Sequence, residues 1–261
     1  MTRLVCASVL VVLLASAAAA ADDDAIDSDR PDLSFSAKTV GAGRVQLEAG
    51  VLFERTRLAA EPTERRLAAE TTLRIGVGDR LELRIDAEPI VRLRGAEDAM
   101  DVGDFRLGTK WRFLEASPDG GWSALALLPV VKLPTAPTPI GSGKADYQLL
   151  LLASFELPAS FALDVNAGVA AIGQTRPSGY LVQAQVSASL SRKLGATLAT
   201  FGEISYASRE EWSGRDQAAV DVGIVWTVRP DVALDAAVGT SVYGRLPDVF
   251  VRAGGSVRFG R

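Results

Sequence analysis

The sequence predicts an all-β fold, a transmembrane antiparallel β-barrel of about 12 strands. Three observations carry that prediction. The first is alternation: across 81–94, Leu81, Leu83, Ile85, Ala87, Pro89, Val91 and Leu93 share one parity. Glu82, Arg84, Asp86, Glu88, Arg92 and Arg94 fill nearly all of the other. A period of two sends the two sets to opposite faces of one strand. The second observation is a sorting of connections by length, and the third a sorting of aromatic residues by strand end. A soluble sheet hides its apolar face, whereas a membrane barrel turns that face to lipid and encloses the charge.

The chain opens on a secretory signal at 1–21: Arg3, an apolar run from Leu4 to Leu14, then small residues ending Ala19-Ala20-Ala21. The run is too short to span a bilayer. An acidic, proline-containing segment follows at 22–43, and the barrel occupies 44–261. The only cysteine, Cys6, lies in the signal, so the exported chain has no disulfide and no thiol metal site. Loss of Arg3 with the signal leaves 27 of the 28 bases against 32 acids, a net charge of −5, which argues against a nucleic-acid partner.

Strand-length alternation recurs at 44–57, 65–77, 81–94, 102–115, 122–134, 146–157, 161–174, 180–193, 196–208, 217–229, 232–245 and 248–259. These runs suit a tilted bilayer crossing better than a globular sheet. Tight turns at Gly78-Asp79-Arg80, Ser117 to Gly121, Pro158-Ala159-Ser160, Leu194-Gly195 and Pro230-Asp231 alternate with mostly longer links, such as Gly95 to Asp101, Thr135 to Ala145 and Arg209 to Asp216. Short periplasmic turns with longer external loops are the barrel pattern. Tyr147, Tyr180, Tyr206 and Tyr243 fall at the long-loop end. Trp111, Trp122 and Trp226, with Phe113, Phe155, Phe161 and Phe259, fall at the tight-turn end. Two aromatic girdles are what two membrane interfaces require. Strands 122–134 and 146–157 carry leucine on both parities, which predicts an apolar patch inside. Pro89 and Pro129 each remove a ladder donor, and a bulge is expected at both.

The sequence holds no histidine, which excludes Ser-His-Asp catalysis and imidazole metal sites. Carboxylates such as Asp86 and Glu88 read as charges of the wall, balanced by Arg84, Arg92, Arg106 and Lys110. Gly141-Ser142-Gly143-Lys144 lacks the spacing and the following helix of a phosphate loop, and reads as an outer loop. No cofactor, metal or catalytic residue is expected.

Several segments carry a family resemblance when taken together. They are Asp29-Arg30-Pro31-Asp32, Thr39-Val40, Gly43-Arg44-Val45-Gln46-Leu47-Glu48-Ala49-Gly50, and Val102-Gly103-Asp104-Phe105-Arg106-Leu107-Gly108-Thr109-Lys110. Further on come Phe155-Glu156-Leu157-Pro158, Asn166-Ala167-Gly168, Phe201-Gly202-Glu203, Leu234-Asp235, Pro247-Asp248-Val249-Phe250, and Gly255-Ser256-Val257-Arg258-Phe259. In this order they resemble the outer-membrane transporter family of the meta-pathway phenol-degradation type. The resemblance implies an outer-membrane barrel that moves small hydrophobic or aromatic compounds, and it transfers no catalytic residues. One departure is the end of the chain. Such barrels often finish on an aromatic residue read by the insertion machinery, and here Gly260 and Arg261 follow Phe259.

The expectation is therefore a passive channel of the bacterial outer membrane for small hydrophobic, aromatic or polar solutes. Its partners would be outer-membrane lipid, the barrel-insertion machinery and the solute. Glu48, Glu70, Arg74, Glu82, Arg84, Asp86, Asp104, Arg106, Lys110, Asp164, Asp221, Asp235, Arg252 and Arg258 are expected to line the pore, their mixed signs setting a transverse field. The segment 22–43 is read as a plug, its acids pairing lumen arginines, or as a periplasmic lead. A non-conducting barrel serving as a surface anchor is the alternative, and a soluble periplasmic β-protein a third reading.

Overall fold

The computed structural model describes residues 25–57, 62–117, 121, 123–244 and 247–260. The signal expected at 1–21 and the girdle residue Trp122 lie outside them. The strands are β1 (Val45–Thr56), β2 (Glu64–Gly78), β3 (Leu81–Arg94), the short β4 (Ala99–Asp101), β5 (Phe105–Ala116), β6 (Ser123–Leu133) and β7 (Asp146–Leu157). They continue as β8 (Phe161–Thr175), β9 (Ser178–Lys193), β10 (Leu198–Ala207), β11 (Gln217–Arg229), β12 (Val232–Tyr243) and β13 (Val249–Phe259).

Each long strand pairs antiparallel with its neighbours, and β1 pairs with both β2 and β13. With β2 also paired to β3, the twelve long strands close into one ring. Closure follows from the solvent outside. Hydrocarbon cannot satisfy the donors and acceptors of a free edge, so the first and last strands must supply them to each other. The β1–β13 register runs from Val45 opposite Phe259 to Arg55 opposite Val249 without a shift.

Outside, the wall is apolar: Leu47, Val51, Leu83, Ile85, Val169, Val222, Ile224 and Val238 are all exposed. Side chains of this kind left in water across a whole barrel would be untenable, so lipid is their solvent and the outer membrane the site of the protein. Tyr147 and Tyr180 meet at 6.0 Å between ring centroids at the long-loop end, and Trp111 and Phe113 at 5.7 Å at the other.

Local departures have proline-based causes. Glu88 and Pro89 together oppose Glu70, a bulge in the β2–β3 ladder. Beyond it the parity of β3 reverses, which corrects the reading of 81–94 as one unbroken alternation. Val91 is fully buried inside, while Ile90, Arg92 and Arg94 face out. Arg92 is therefore not among the charges that balance the interior carboxylates. Pro129 makes no bulge: it stays in register with Leu149, and β5–β6 pairing lapses between Gly108–Val130 and Trp111–Leu127. The register shift there falls at Arg112/Leu114 instead. The expected strand at 102–115 begins at Phe105, and Ala99–Asp101 forms β4 against β3.

Val222→Arg places a guanidinium on the lipid face at mid-strand. It should destabilise the barrel by about 2–4 kcal/mol, measured as a shift in denaturant unfolding from lipid vesicles.

Candidate functional site

The inward parity of each strand carries the polar residues. Gln46, Glu48, Arg74, Glu82, Arg84, Lys110, Asn166, Ser189, Glu203, Asp221, Asp235 and Ser256 are all buried, although they sit on the walls of a ring. What covers them is the chain's own N-terminal segment. Residues 25–43 form no strand. Yet they bond to side chains of β1, β2, β3, β5, β7, β8, β9, β10, β12 and β13. Only a segment inside the ring can reach all of these strands.

Its path is a loop. Ile26 N–H donates to the Pro230 carbonyl (2.7 Å) and Thr39 Oγ1 to the Asp79 carbonyl (2.7 Å), both at tight turns. Between them the segment reaches inward. Leu33 N–H donates to Glu203 Oε2 (2.7 Å), Phe35 N–H to Asn166 Oδ1 (2.7 Å) and Ala37 N–H to Ser154 Oγ (2.7 Å). Val40 N–H donates to Glu82 Oε2 at 3.0 Å. The wall side chains supply the partners that a backbone outside any ladder would otherwise lack.

Asp29 is the electrostatic centre. Lys110 Nζ lies 2.9 Å from its Oδ2, Arg84 bonds the same oxygen, and Arg74 Nη1 is 3.5 Å away. Arg74 also grips Glu82 with two nitrogens (2.8 and 2.9 Å) and Glu48 with a third contact at 2.9 Å. Lys110 further donates to the Ser36 and Lys38 carbonyls at 2.9 and 3.2 Å. Phe35 stacks beneath the Arg84 guanidinium at 4.4 Å. Burial alone would raise the Asp29 carboxyl, but Arg74, Lys110 and Arg84 overcome it and hold the group well below the usual carboxylate range. Asp32 goes the other way: desolvation, and then Glu203, pushes it well above that range.

The other expected site residues distribute along the same wall. Arg84 Nε holds Asp86 at 2.9 Å. Glu70 takes Arg30 at 3.0 Å and Arg252 at 3.7 Å, and Asp235 takes Arg30 at 3.5 Å. Asp164 accepts from Ser154, and Arg258 donates to the Ala25 carbonyl at 3.5 Å. Asp221 is buried close to Glu203 on the neighbouring strand β10. Asp104 sits apart, near the outer mouth, where it pairs Lys132 at 3.3 Å and accepts the Ala136 N–H at 2.8 Å. Arg106 is exposed and makes no ion pair among the described residues. The cations Arg74, Arg84 and Lys110 stand on β2, β3 and β5, whereas Asp164, Glu203 and Asp221 stand across the ring on β8, β10 and β11. Glu48, Glu82 and Asp86 stand beside those cations on β1 and β3, so that side of the interior is mixed in sign, while β8, β10 and β11 contribute acids.

Two apolar patches interrupt this polar lining. Ala37, with Phe35 beside it, packs on Ala124, Ala126, Leu128 and Val130 of β6 and Leu150 and Leu152 of β7. This is the interior use of the leucines found on both parities. Nearer the outer mouth Leu52, Ala68, Val91, Ala219 and Phe250 form a second cluster, against which Leu93 and Ile140 pack. Sequence reasoning missed this collar. Val91 and Leu93 enter it only because the bulge at Pro89 reverses β3.

Residues 28–259 match the family described as "Putative MetA-pathway of phenol degradation". The chain belongs to this family. Among curated proteins, none matches the sequence. The fold is similar to that of an outer-membrane channel from Pseudomonas putida F1, with a TM-score of 0.70 at 10% identity over 90% of this chain and 100% of that one. It is also similar to the NanC porin, with a TM-score of 0.53 at 9% identity over 81% and 98% of the two chains. The KdgM porin, solved with disordered oligogalacturonate, gives 0.53 at 8% identity over 83% and 99%. At these identities the likeness concerns the barrel itself.

Asp29→Ala leaves three buried cations short of one carboxylate. It should loosen the segment by about 3 kcal/mol, read as faster hydrogen exchange at Phe35 and Ala37 with wall amides unchanged. Asp32→Asn should have the opposite sign, because it removes a charge that its surroundings disfavour. The same exchange measurement is expected to show Phe35 and Ala37 protected at least as well as in the native chain.

Proposed function

We propose that this barrel is a passive channel for small hydrophobic, aromatic or polar solutes, with residues 25–43 as its plug. The observation that carries this reading is the mismatch between wall and filling. The wall is held by backbone ladders between every pair of neighbouring long strands, which close the ring. The filling is held by side-chain contacts alone along 27–40, so it can leave without opening the ring. Twelve strands enclose more space than the eight whose interior side chains fill.

The lining supplies the selectivity. A solute coming from outside first meets the apolar collar of Leu52, Val91 and Phe250, which favours an aromatic or aliphatic body. Beyond it lies the charged zone between Arg84 and Glu203, which orients any polar group the solute carries. Glu48, Glu70, Arg74, Glu82, Arg84, Asp86, Lys110, Asp164, Asp221, Asp235, Arg252 and Arg258 become the pore lining once the plug is withdrawn, with Asp104 and Arg106 at the mouth. The role requires no catalytic group. The insertion machinery is the partner at assembly.

The filled interior also favours a second reading, a non-conducting barrel that anchors or stiffens the envelope. Arg74, Lys110, Glu48 and Glu82 are each no more than 1% exposed, which supports this reading.

Planar-bilayer recording separates the two. Deletion of residues 25–40 should raise single-channel conductance several-fold, and liposome swelling should then admit simple phenols faster than sugars of equal size. A correctly folded deletion variant that stays silent would favour the anchor.

A further inference from the structure

The reversal of β3 has a second product, on the outside of the barrel. Arg55 lies opposite Arg65 on β2, and Arg65 lies opposite Arg94 on β3. All three share the outward parity of Phe53, Leu67 and Ile90. Arg92 stands on the same face two residues below Arg94, beside the exposed Met100 of β4. Three guanidinium groups thus lie in a row across adjacent strands, about 5 Å apart at their Cβ atoms, with a fourth beneath.

Like charges placed directly opposite one another repel, and nothing within the described protein relieves them. Arg55, Arg65, Arg92 and Arg94 make no ion pair among the described residues, whereas the inward-facing Arg66, Arg74 and Arg84 do. The Arg55 Nε is shielded from solvent and has no hydrogen-bond partner among the described residues. A shallow pocket of roughly 220 Å³ borders the row, lined by Arg92, Leu93, Arg94, Asp98, Ala99 and Met100. Its one acid, Asp98, already accepts the Gly95 N–H at 3.2 Å.

The position of the row decides what can answer this charge. It caps the apolar wall at the long-loop end, where the exterior changes from hydrocarbon to headgroups. Guanidinium forks match phosphate oxygens in pairs, and a row of them matches a rigid, multiply phosphorylated headgroup. We propose that Arg55, Arg65, Arg92 and Arg94 form a binding site for the phosphates of the outer-leaflet glycolipid, lipid A. The acyl chains of that lipid would lie along Phe53, Leu67 and Ile90 directly below. The site rests on the outer-membrane location and not on conduction, so its failure would leave the channel reading intact.

Native mass spectrometry of the full barrel, released from detergent after incubation with bis-phosphorylated lipid A, tests it. The native protein should retain the lipid, and the Arg55→Gln/Arg65→Gln/Arg94→Gln variant should bind it at least about tenfold more weakly. The corresponding triple Arg→Lys variant keeps the charge and should fall between the two. Dephosphorylated lipid A, offered to the native protein, provides an arm that needs no variant to fold. Retention equal to that of the phosphorylated form would overturn the proposal, as would undiminished binding by the folded glutamine variant. Inorganic phosphate displacing the lipid at matched concentration would also overturn it, since the site would then recognise a free anion and not a lipid.

Discussion

Asp29 accepts from Lys110 and Arg84 and lies 3.5 Å from Arg74, cations that reach it from three different strands, and this convergence is the constraint on which the interior depends. Each of those cations is removed from water, and a buried charge is tolerated only when its partners are complete. Glu48, Glu82 and Asp86 supply part of the compensation from the wall itself. The remainder comes from a residue that belongs to no strand. Wall and filling are therefore not independent: the wall is electrically complete only with the filling seated. The filling in turn has no fold of its own, and takes its shape from the side chains that receive it.

Much of the barrel could be read from alternation, because hydrocarbon and an enclosed lumen impose opposite demands on neighbouring residues. Leu47 and Glu48, or Leu83 and Arg84, declare their faces by chemistry alone. The sides of the ring on which interior charges meet are less legible. Glu48 and Arg74 are adjacent because β1 and β2 pair in a given register, which is a property of turns and bulges more than of either residue. Least legible was the consequence of Pro89. A proline inside a strand announces a lost donor, but whether the chain absorbs it by a bulge or by a gap in pairing depends on the partner strand. At Pro89 the chain bulged and exchanged the fates of Val91 and Arg92. At Pro129 it kept register and gave up ladder bonds instead. The partners of Asp29 were also hidden, since a segment without periodicity carries no signal of which wall it will touch.

The exterior obeys a simpler rule, broken most heavily in one place. From Val45 to Val238 the outward residues of the spanning strands are mainly aliphatic or small, with aromatic rings gathered toward the two ends. The arginine row on β1, β2 and β3 is the largest exception among the described residues. Placed at mid-span, four unpaired guanidinium groups would undo the barrel; placed at the rim they meet the headgroup layer. The same bulge that turned valine into the collar turned arginine toward the membrane, so one irregularity shaped both surfaces of this sector.

The seated segment begins beside Pro230 and ends beside Asp79, so both of its limbs pass through a single mouth. It is a loop anchored at one end of the ring and not a thread through it. Extraction toward the periplasm crosses no strand, ties no knot and asks nothing of the covalent chain. A pull from that side alone would therefore suffice to withdraw the segment.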